Sequence, residues 1–415
     1  MPVHGEVGAG HDRVGLIVGL AVLASGCFFN VTSYTDTDGS TVYVGEVRND
    51  GPPLSGPYVT GTFYDANGNV ITTQDGDVCR VMPTSSIAAF KVRLPAGTPK
   101  PARVEWKLNG TEVENPYLAE GLTAWISATA PASPGTDLGL VYGEMRNDSA
   151  STYIRGYVCI AWVNAKGEVL RVGTGSAAGL RLAPGQTLPF AVRENPPAEA
   201  TDALFFLDAG VTPPGQPQTT IVDLPDSAFR NASERSGPNL GGNGTLYLGL
   251  GEIHNGGSST LSASLSAVAR GSDGKPVAVG GGDYCDVPAF PDSFTYGVYL
   301  MTTNASPPPP PDLKLEGAVL VGDAAPGELT PTNVTKSGSG IVKVSGKIKN
   351  TLSEPITMIL LCAGSYDASG AVIGVNATRI FIDAGLAPGA TRSFTIDVPS
   401  FGDVSTVKAI AAGVP

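Results

Sequence analysis

Few side chains in this sequence could act as a general acid or base. His254 is the one histidine beyond the apolar N-terminal segment, and related stretches carry Arg48, Arg146 and Lys349 at its position. Because a catalytic base could not be exchanged for arginine or lysine, this position is typical of a basic surface site. No Gly-x-Ser-x-Gly, phosphate-binding or Cys-x-x-Cys pattern is present. We therefore predict that the chain is not an enzyme and needs no cofactor.

Asp36 and Asp38 are the candidates for a metal site. They lie in Asp-Thr-Asp-Gly-Ser, where alternate carboxylates resemble the start of a calcium-binding loop. The stretch lacks the terminal bidentate acid that such a loop requires, so a simple turn is the favoured interpretation.

Four cysteines follow the N-terminal segment, and their spacing is regular. Each is placed relative to a glycine that recurs in four strand–turn–strand stretches. Cys79 and Cys285 lie 11 residues after this glycine, whereas Cys159 and Cys362 lie 8 residues before it. Because equal spacings recur in alternate stretches, the pattern indicates a duplicated pair of units, A-B-A-B.

Disulfides between repeats are one use of these cysteines. No repeat holds two of them, and the pairs Cys79–Cys159 and Cys285–Cys362 span similar separations of 80 and 77 residues. These pairs are favoured among three possible connectivities, and an oxidising compartment would support them. The Cys159 position carries Thr60 in repeat 1, on the predicted outward side of its strand. The alternative is four reduced thiols buried as small apolar groups.

The fifth cysteine, Cys27, follows Ala24-Ser25-Gly26 and an apolar stretch over 14–23. That stretch is too short to span a bilayer and is typical of a signal peptide. Small residues before a cysteine resemble a bacterial lipobox, although Ala24 stands where leucine is commonest. We predict a lipid anchor on Cys27 and an exported, membrane-anchored protein on the cell surface or facing the periplasm. The alternative is an ordinary signal peptide that is cut nearby.

A five-residue pattern organises the rest of the chain. It reads Gly, charged, aliphatic, basic, Asn, with one exchange of acid for lysine at its second position. The four copies are Gly45–Asn49, Gly143–Asn147, Gly251–Asn255 and Gly346–Asn350. They begin 98, 108 and 95 residues apart, which indicates tandem domains rather than a solenoid of small units. Glycine permits close packing and asparagine caps its own backbone, so we interpret the motif as structural.

Each motif is followed by a predicted β-hairpin, in which Asp or Asn opens a turn and glycine takes the left-handed position. The hairpins lie in Phe63–Val70, Trp162–Val169, Arg270–Val277 and Tyr366–Val372. With 54 glycines, 34 prolines and no sustained helical stripe, the sequence predicts an all-β fold.

The glycine-to-asparagine motif, the Phe63-Tyr64-Asp65 hairpin and the Leu-Ala-Pro-Gly turns at 182–185 and 386–389 form a set. This set resembles the bacterial FxLYD-type domain, a small immunoglobulin-like β-sandwich. The resemblance implies four tandem immunoglobulin-like β-sandwich domains after a cleaved N-terminal signal segment, and an envelope location. It implies no chemistry. Trp162-Val163-Asn164 departs from the pattern, and repeat 3 lacks the aromatic residue.

The predicted boundaries follow from these motifs. They are a signal peptide over 1–26, repeat 1 (A) over 28–110, repeat 2 (B) over 118–212, repeat 3 (A) over 222–304, a proline-rich linker over 305–312 and repeat 4 (B) over 313–415. The run Pro307–Pro311 predicts a stiff polyproline II spacer that holds repeat 4 away from repeat 3.

Charge and aromatic residues bound the partners. A net charge of −12 excludes the basic surface that a nucleic-acid partner needs. Trp125, Tyr153 and Tyr157 are the candidates for aromatic residues that stack on sugar rings. Eight Asn-x-Ser/Thr sequons, including Asn30 and Asn333, are attributed to composition.

The favoured function is a non-enzymatic, lipid-anchored cell-envelope protein, a stalk or interaction module whose protein or glycan partner is unknown. The alternative is a carbohydrate- or ligand-binding subunit of an envelope enzyme or transporter.

Overall fold

The computed structural model describes residues 26–114, 119–130, 139–179, 181–210, 221–223, 228–238, 245–282, 285–303, 311–319 and 326–415. The predicted signal segment before Gly26 and most of the proline run lie outside these ranges. Within them the secondary structure is strand and turn, without an α-helix, so no described helix could cross a bilayer.

Most strands follow the predicted repeats. Repeat 1 has β1 (Gly26–Thr35), β2 (Thr41–Asn49), β3 (Leu54–Tyr64), β4 (Val70–Val78), β5 (Ile87–Leu94) and β6 (Arg103–Glu112). Repeat 2 has β7 (Leu122–Ala130), β8 (Leu140–Asn147), β9 (Tyr153–Val163), β10 (Val169–Ala177), β11 (Arg181–Leu182), β12 (Thr187–Arg193) and β13 (Asp202–Gly210). The third sheet has β14 (Ile221–Asp223), β15 (Phe229–Pro238), β16 (Thr245–His254), β17 (Leu261–Arg270), β18 (Pro276–Gly282), β19 (Phe294–Thr303) and β20 (Pro311–Val319). Repeat 4 has β21 (Gly327–Leu329), β22 (Pro331–Ser337), β23 (Ile341–Lys349), β24 (Ile356–Tyr366), β25 (Val372–Leu386), β26 (Thr391–Pro399) and β27 (Thr406–Val414).

One strand order recurs in every repeat. Neighbours run β1-β2-β5-β4-β3-β6, then β7-β8-β12-β10-β9-β13, then β15-β16-β19-β18-β17-β20. Repeat 4 has the same order, but β25 and β26 share no hydrogen-bonded ladder, so its strands form two sheets. The paired strands are antiparallel throughout, for example β2 with β5 and β24 with β27. The all-β prediction is confirmed, and the antiparallel sheets are consistent with a β-sandwich class.

Strand β20 changes the predicted boundary of repeat 3. It pairs with β17 along its full length, from Leu261 opposite Val319 to Ala269 opposite Pro311. This is the place that β6 takes beside β3 and β13 takes beside β9. The third sheet therefore ends at residue 319 and not at 304, because its last strand lies beyond the proline run.

Strand β2 is buried on both of its sides. Tyr43 and Val47 face the interior of repeat 1, where Phe63 and Phe90 also lie. Val42 and Val44 point the opposite way and are also fully buried, because repeat 2 covers them. Burial of two such valines contributes about 3–6 kcal/mol, so repeats 1 and 2 stabilise each other.

Repeats 3 and 4 are joined in the same manner. Leu250 and Val298 of the third sheet share one apolar cluster with Leu360 and Val375 of repeat 4. The prediction that a proline spacer holds repeat 4 away from repeat 3 is therefore wrong. The run precedes the last strand of its own sheet, and the apolar cluster brings the two repeats together.

The motif glycines allow aromatic rings to lie against the strand. A Cβ on Gly45 would come within 2.9 Å of Phe90, and one on Gly346 within 2.8 Å of Phe394. These phenylalanines are the cross-strand partners of the two glycines. Any larger residue at the glycine position would displace the ring from the core.

The motif asparagines tie three segments of each repeat together. All four are buried, and each Oδ1 accepts the backbone N–H two residues later, as at Gly51 and Ser149. Each Nδ2 also donates to the following loop and to the segment before the fifth strand. For Asn147 these acceptors are Ser151 O at 2.7 Å and Leu182 O at 3.0 Å. The asparagine thus caps its turn, as predicted, and also pins a distant loop.

We predict that Asn147→Ala lowers the free energy of unfolding of repeats 1 and 2 by about 2–4 kcal/mol, because two buried carbonyls lose their donor. Urea unfolding followed by tryptophan fluorescence measures this, since all three tryptophans lie in these repeats. Arg146→Ala is the control: its ion pair with Asp148 is exposed, so the change should stay within about 1 kcal/mol. Equal effects of the two substitutions would contradict the pinning role.

Candidate functional site: the contacts between repeats

A disulfide joins repeats 1 and 2. Cys79, directly after β4, is bonded to Cys159 of β9, with the two Cα atoms 5.6 Å apart. Cys159 points away from the interior of repeat 2 and lies in the apolar cluster of repeat 1. The outward orientation that strand alternation predicted for this position matches the bond.

The second cysteine pair lies in the equivalent place but consists of free thiols. Cys362 is fully buried, Cys285 is half-buried, and both belong to the apolar cluster between repeats 3 and 4. Burial raises the pKa of the Cys362 thiol, and its hydrogen bond with Cys285 raises it further. A disulfide between them stays a prediction.

A bulge in the first strand carries a repeated Asn-x-Ser/Thr element. Asn30 and Asn231 take the left-handed conformation, with φ of 54° and 53°. The hydroxyl two positions later crosses to the next repeat, where Thr32 donates to Val169 O and Ser233 donates to Val372 O. Two sequons that composition alone seemed to explain are therefore structural.

Glu252 is the centre of a polar cluster between repeats 3 and 4, which we call the Glu252 cluster. Its side chain is 1% exposed. Oε2 accepts a hydrogen bond of 2.6 Å from Asn231 Nδ2 and lies 3.1 Å from His254 Nε2. Oε1 accepts the Tyr366 hydroxyl and, at 2.9 Å, Lys408 Nζ. Each oxygen has two partners, so the carboxylate has no acceptor position left for a substrate.

Two buried phenols extend the Glu252 cluster. The Tyr296 hydroxyl lies 2.9 Å from that of Tyr366. Burial by itself would raise the pKa of Glu252, but hydrogen bonds from Tyr366, Lys408 and His254 hold it below its usual value. Burial and then the Glu252 carboxylate raise the pKa of Tyr366. The acid therefore stays ionised and the phenol neutral, which is the arrangement of a structural tie.

Repeats 1 and 2 use another carboxylate for the same purpose. Glu194 is 2% exposed and pairs with Arg171 at 2.9 Å and with Lys91 of repeat 1 at 3.3 Å. The Arg171 guanidinium lies 4.3 Å from the centre of the Tyr34 ring. Glu46, the counterpart of Glu252, has Asn30 as its hydrogen-bonded side chain at 2.6 Å.

Repeats 2 and 3 meet through the same motif position. Arg270 NH1 lies 3.0 Å from Glu144 Oε1, and β18 lies against β8 and β12. In repeat 4 the motif carries Lys347 instead, and this side chain is exposed. The acid of the motif therefore marks strands that another repeat covers.

The metal candidates Asp36 and Asp38 pair with an arginine. Arg93 lies 3.0 Å from Asp36 and 2.7 Å from Asp38. The Ser40 hydroxyl and amide both donate to Asp38, and these bonds, with the one from Arg93, lower the pKa of Asp38 to about 2. In the described ranges no three His, Cys, Asp or Glu side chains converge as a metal site would need.

The aromatic candidates do not come together. Trp125 is 40% exposed on β7. Tyr153 is buried, and its hydroxyl donates to Glu120 O at 2.8 Å. Tyr157 is half-buried against the core of repeat 1. Of the three, Trp125 alone could contact a sugar ring.

His254 and Cys27 occupy the ends of strands. His254 is half-exposed and bonds to Glu252, while Arg48 and Arg146 at the same motif position pair with Asp50 and Asp148. Cys27 is exposed on β1, opposite Arg48 of β2.

The residues that join the repeats were not found from the sequence. Glu194, Glu252, Tyr366 and Lys408 carry no local motif, because each is defined by a partner in another repeat. A signal did exist in the equal placement of Asn30 and Asn231 before their motifs. No protein-family model and no curated protein matches the chain significantly.

We predict that replacing Cys79 and Cys159 with alanine lowers the stability of repeats 1 and 2 by about 2–4 kcal/mol, because the unfolded chain loses a cross-link over 80 residues. Urea unfolding followed by tryptophan fluorescence measures it. The matched control is the double alanine variant of Cys285 and Cys362, which should leave this transition unchanged. A loss below about 1 kcal/mol would argue against the bond.

We predict that acid weakens the contact of repeats 3 and 4 through Glu252. Its folded pKa lies below the unfolded value of about 4.3. The stabilisation is therefore complete above that value and is lost as the pH falls through the folded pKa. Glu252→Gln should cost about 2–3 kcal/mol at pH 7 and flatten the pH dependence.

Hydrogen exchange of the β16 and β24 amides between pH 7 and pH 3 measures this effect. Glu46→Gln is the control, since Glu46 has no such partners in repeat 2, and it should alter exchange less. If the Glu252→Gln protein kept native protection at pH 7, the carboxylate would not tie these repeats.

Proposed function

We propose that this chain is a non-enzymatic, lipid-anchored cell-envelope protein that serves as a rigid scaffold of four FxLYD-like β-sandwich domains. The observation that carries the proposal is the sequence of contacts between consecutive repeats. Each contact uses the polar side chains that could otherwise have formed a site. The saturated Glu252 carboxylate and the Arg93 pairing of Asp36 and Asp38 support a structural role for these groups.

Rigidity follows from shared cores. A string of separate domains moves about its linkers, whereas here both sides of β2 are buried and β16 lies against β25. Bending between these repeats would expose apolar surface and break the buried Glu252 contacts. Such a stack suits a protein that holds a partner at a fixed distance from a membrane.

The position of Cys27 suits an anchor close to the first sheet. The residue is exposed and already belongs to β1. A lipid on its sulfur would leave no linker between the bilayer and repeat 1, so the stack would start at the membrane surface.

We expect Cys27→Ala to move the protein from the membrane fraction to the soluble fraction, because the thiol that carries the lipid is gone. Immunoblotting of membrane and soluble fractions from a bacterial host that lipidates exported proteins measures this. Cys285→Ala is the control and should stay with the membrane. Membrane retention of the Cys27→Ala protein would overturn the anchor.

A further inference from the structure

Every contact between consecutive repeats uses the same two faces. The receiving face is the outward side of the second strand and its neighbours, and the docking face is the outward side of the hairpin. The second hairpin strand of the following repeat lies across it each time: β10 on β2 and β5, β18 on β8 and β12, and β25 on β15 and β16. The interface is therefore head-to-tail and repeats along the chain.

The motif acid has equivalent partners in two of these interfaces. Glu144 binds Arg270, which lies four residues before the hairpin glycine Gly274. Glu252 binds Tyr366, four residues before Gly370, and also Lys408. Equal positions in different repeats show that the contacts share one register.

Two such faces have no partner within the described chain. The receiving face of repeat 4 carries Lys343, Lys347 and Lys349, all exposed on β23. Between them Ser345 bonds to Thr395 across the sheet at 3.0 Å. This basic, hydroxyl-rich face belongs to a chain with a net charge of −12.

The docking face of repeat 1 has the opposite charge at the matching place. Glu105 lies opposite Thr62, as Lys408 lies opposite Gly364, and both partners precede their hairpin glycine by six residues. Glu105 therefore occupies the Lys408 position. Its carboxylate accepts a 2.7 Å hydrogen bond from Tyr64, and Asp75 and Asp77 are exposed on the neighbouring strand β4.

We propose that a second copy of this chain docks its repeat 1 on the lysine face of repeat 4. In the internal contact an acid on the receiving face meets a lysine, Glu252 with Lys408. Between copies the charges are exchanged, so that Lys347 meets Glu105. A heterologous contact of this kind extends into a row of molecules. The proposal does not rest on the lipid anchor, because neither face includes Cys27.

The contact between copies is polar and therefore weak. Val44 and Leu250 precede the motif glycine on covered receiving faces, whereas Ser345 takes this place in repeat 4. With little apolar area to bury, association depends on charge and falls as salt rises. We expect a dissociation constant in the micromolar range or above, weakening roughly tenfold between about 50 and 500 mM salt.

Sedimentation velocity of the full chain over a range of concentrations tests the proposal. At low salt the wild type should form dimers and longer species, while Lys347→Glu and Glu105→Lys should each sediment as monomers. Lys347 is exposed, so its substitution should leave the fold intact, which circular dichroism checks. Lys166→Glu makes the same charge change on an exposed hairpin turn of repeat 2 and should leave association unchanged.

Charge exchange separates this contact from a general effect of charge. An equimolar mixture of the Lys347→Glu and Glu105→Lys chains restores opposite charges at every contact, so it should associate like the wild type. A wild type that is monomeric at low salt would overturn the proposal and make repeat 4 a polar cap. Association that survives Lys347→Glu would also overturn it.

Discussion

The burial of the second strand on both of its sides is the constraint on which the whole structure depends. A single antiparallel sheet normally needs one apolar face, and the other can remain in water. In β2 the side chains alternate but are buried on both sides, so one face fills the repeat and the other requires a neighbour. The polar side chains at each contact follow from this requirement, since an ionised group under a neighbouring repeat must be paired.

Much of the fold could be predicted because its signals are local. Glycine beside Phe90 and asparagine at the turn act within one repeat, and their positions gave the correct strand ends and register. Cysteine positions carried information across repeats, because strand alternation fixes the side on which Cys159 points. The first disulfide was predictable for that reason.

The remaining features depend on contacts between segments far apart in the chain. Strand β20 was assigned to the wrong repeat, because the proline run suggested a boundary where the structure has a loop before the last strand. The exchange of Glu252 for Lys347 was taken as a sign that the position is unimportant. In the structure it distinguishes a covered strand from an exposed one, which no single repeat can reveal.

The two A–B pairs solve the same packing problem with different chemistry. At the positions of Tyr366 and Lys408, repeat 2 has Val163 and Leu204, and this pair is closed by apolar contact and a disulfide. Repeats 3 and 4 have free thiols and a buried, fully paired carboxylate instead. An apolar contact tolerates small shifts, whereas a buried network loses several bonds at once when one partner moves. The second pair therefore holds its geometry more strictly, although it lacks the covalent bond.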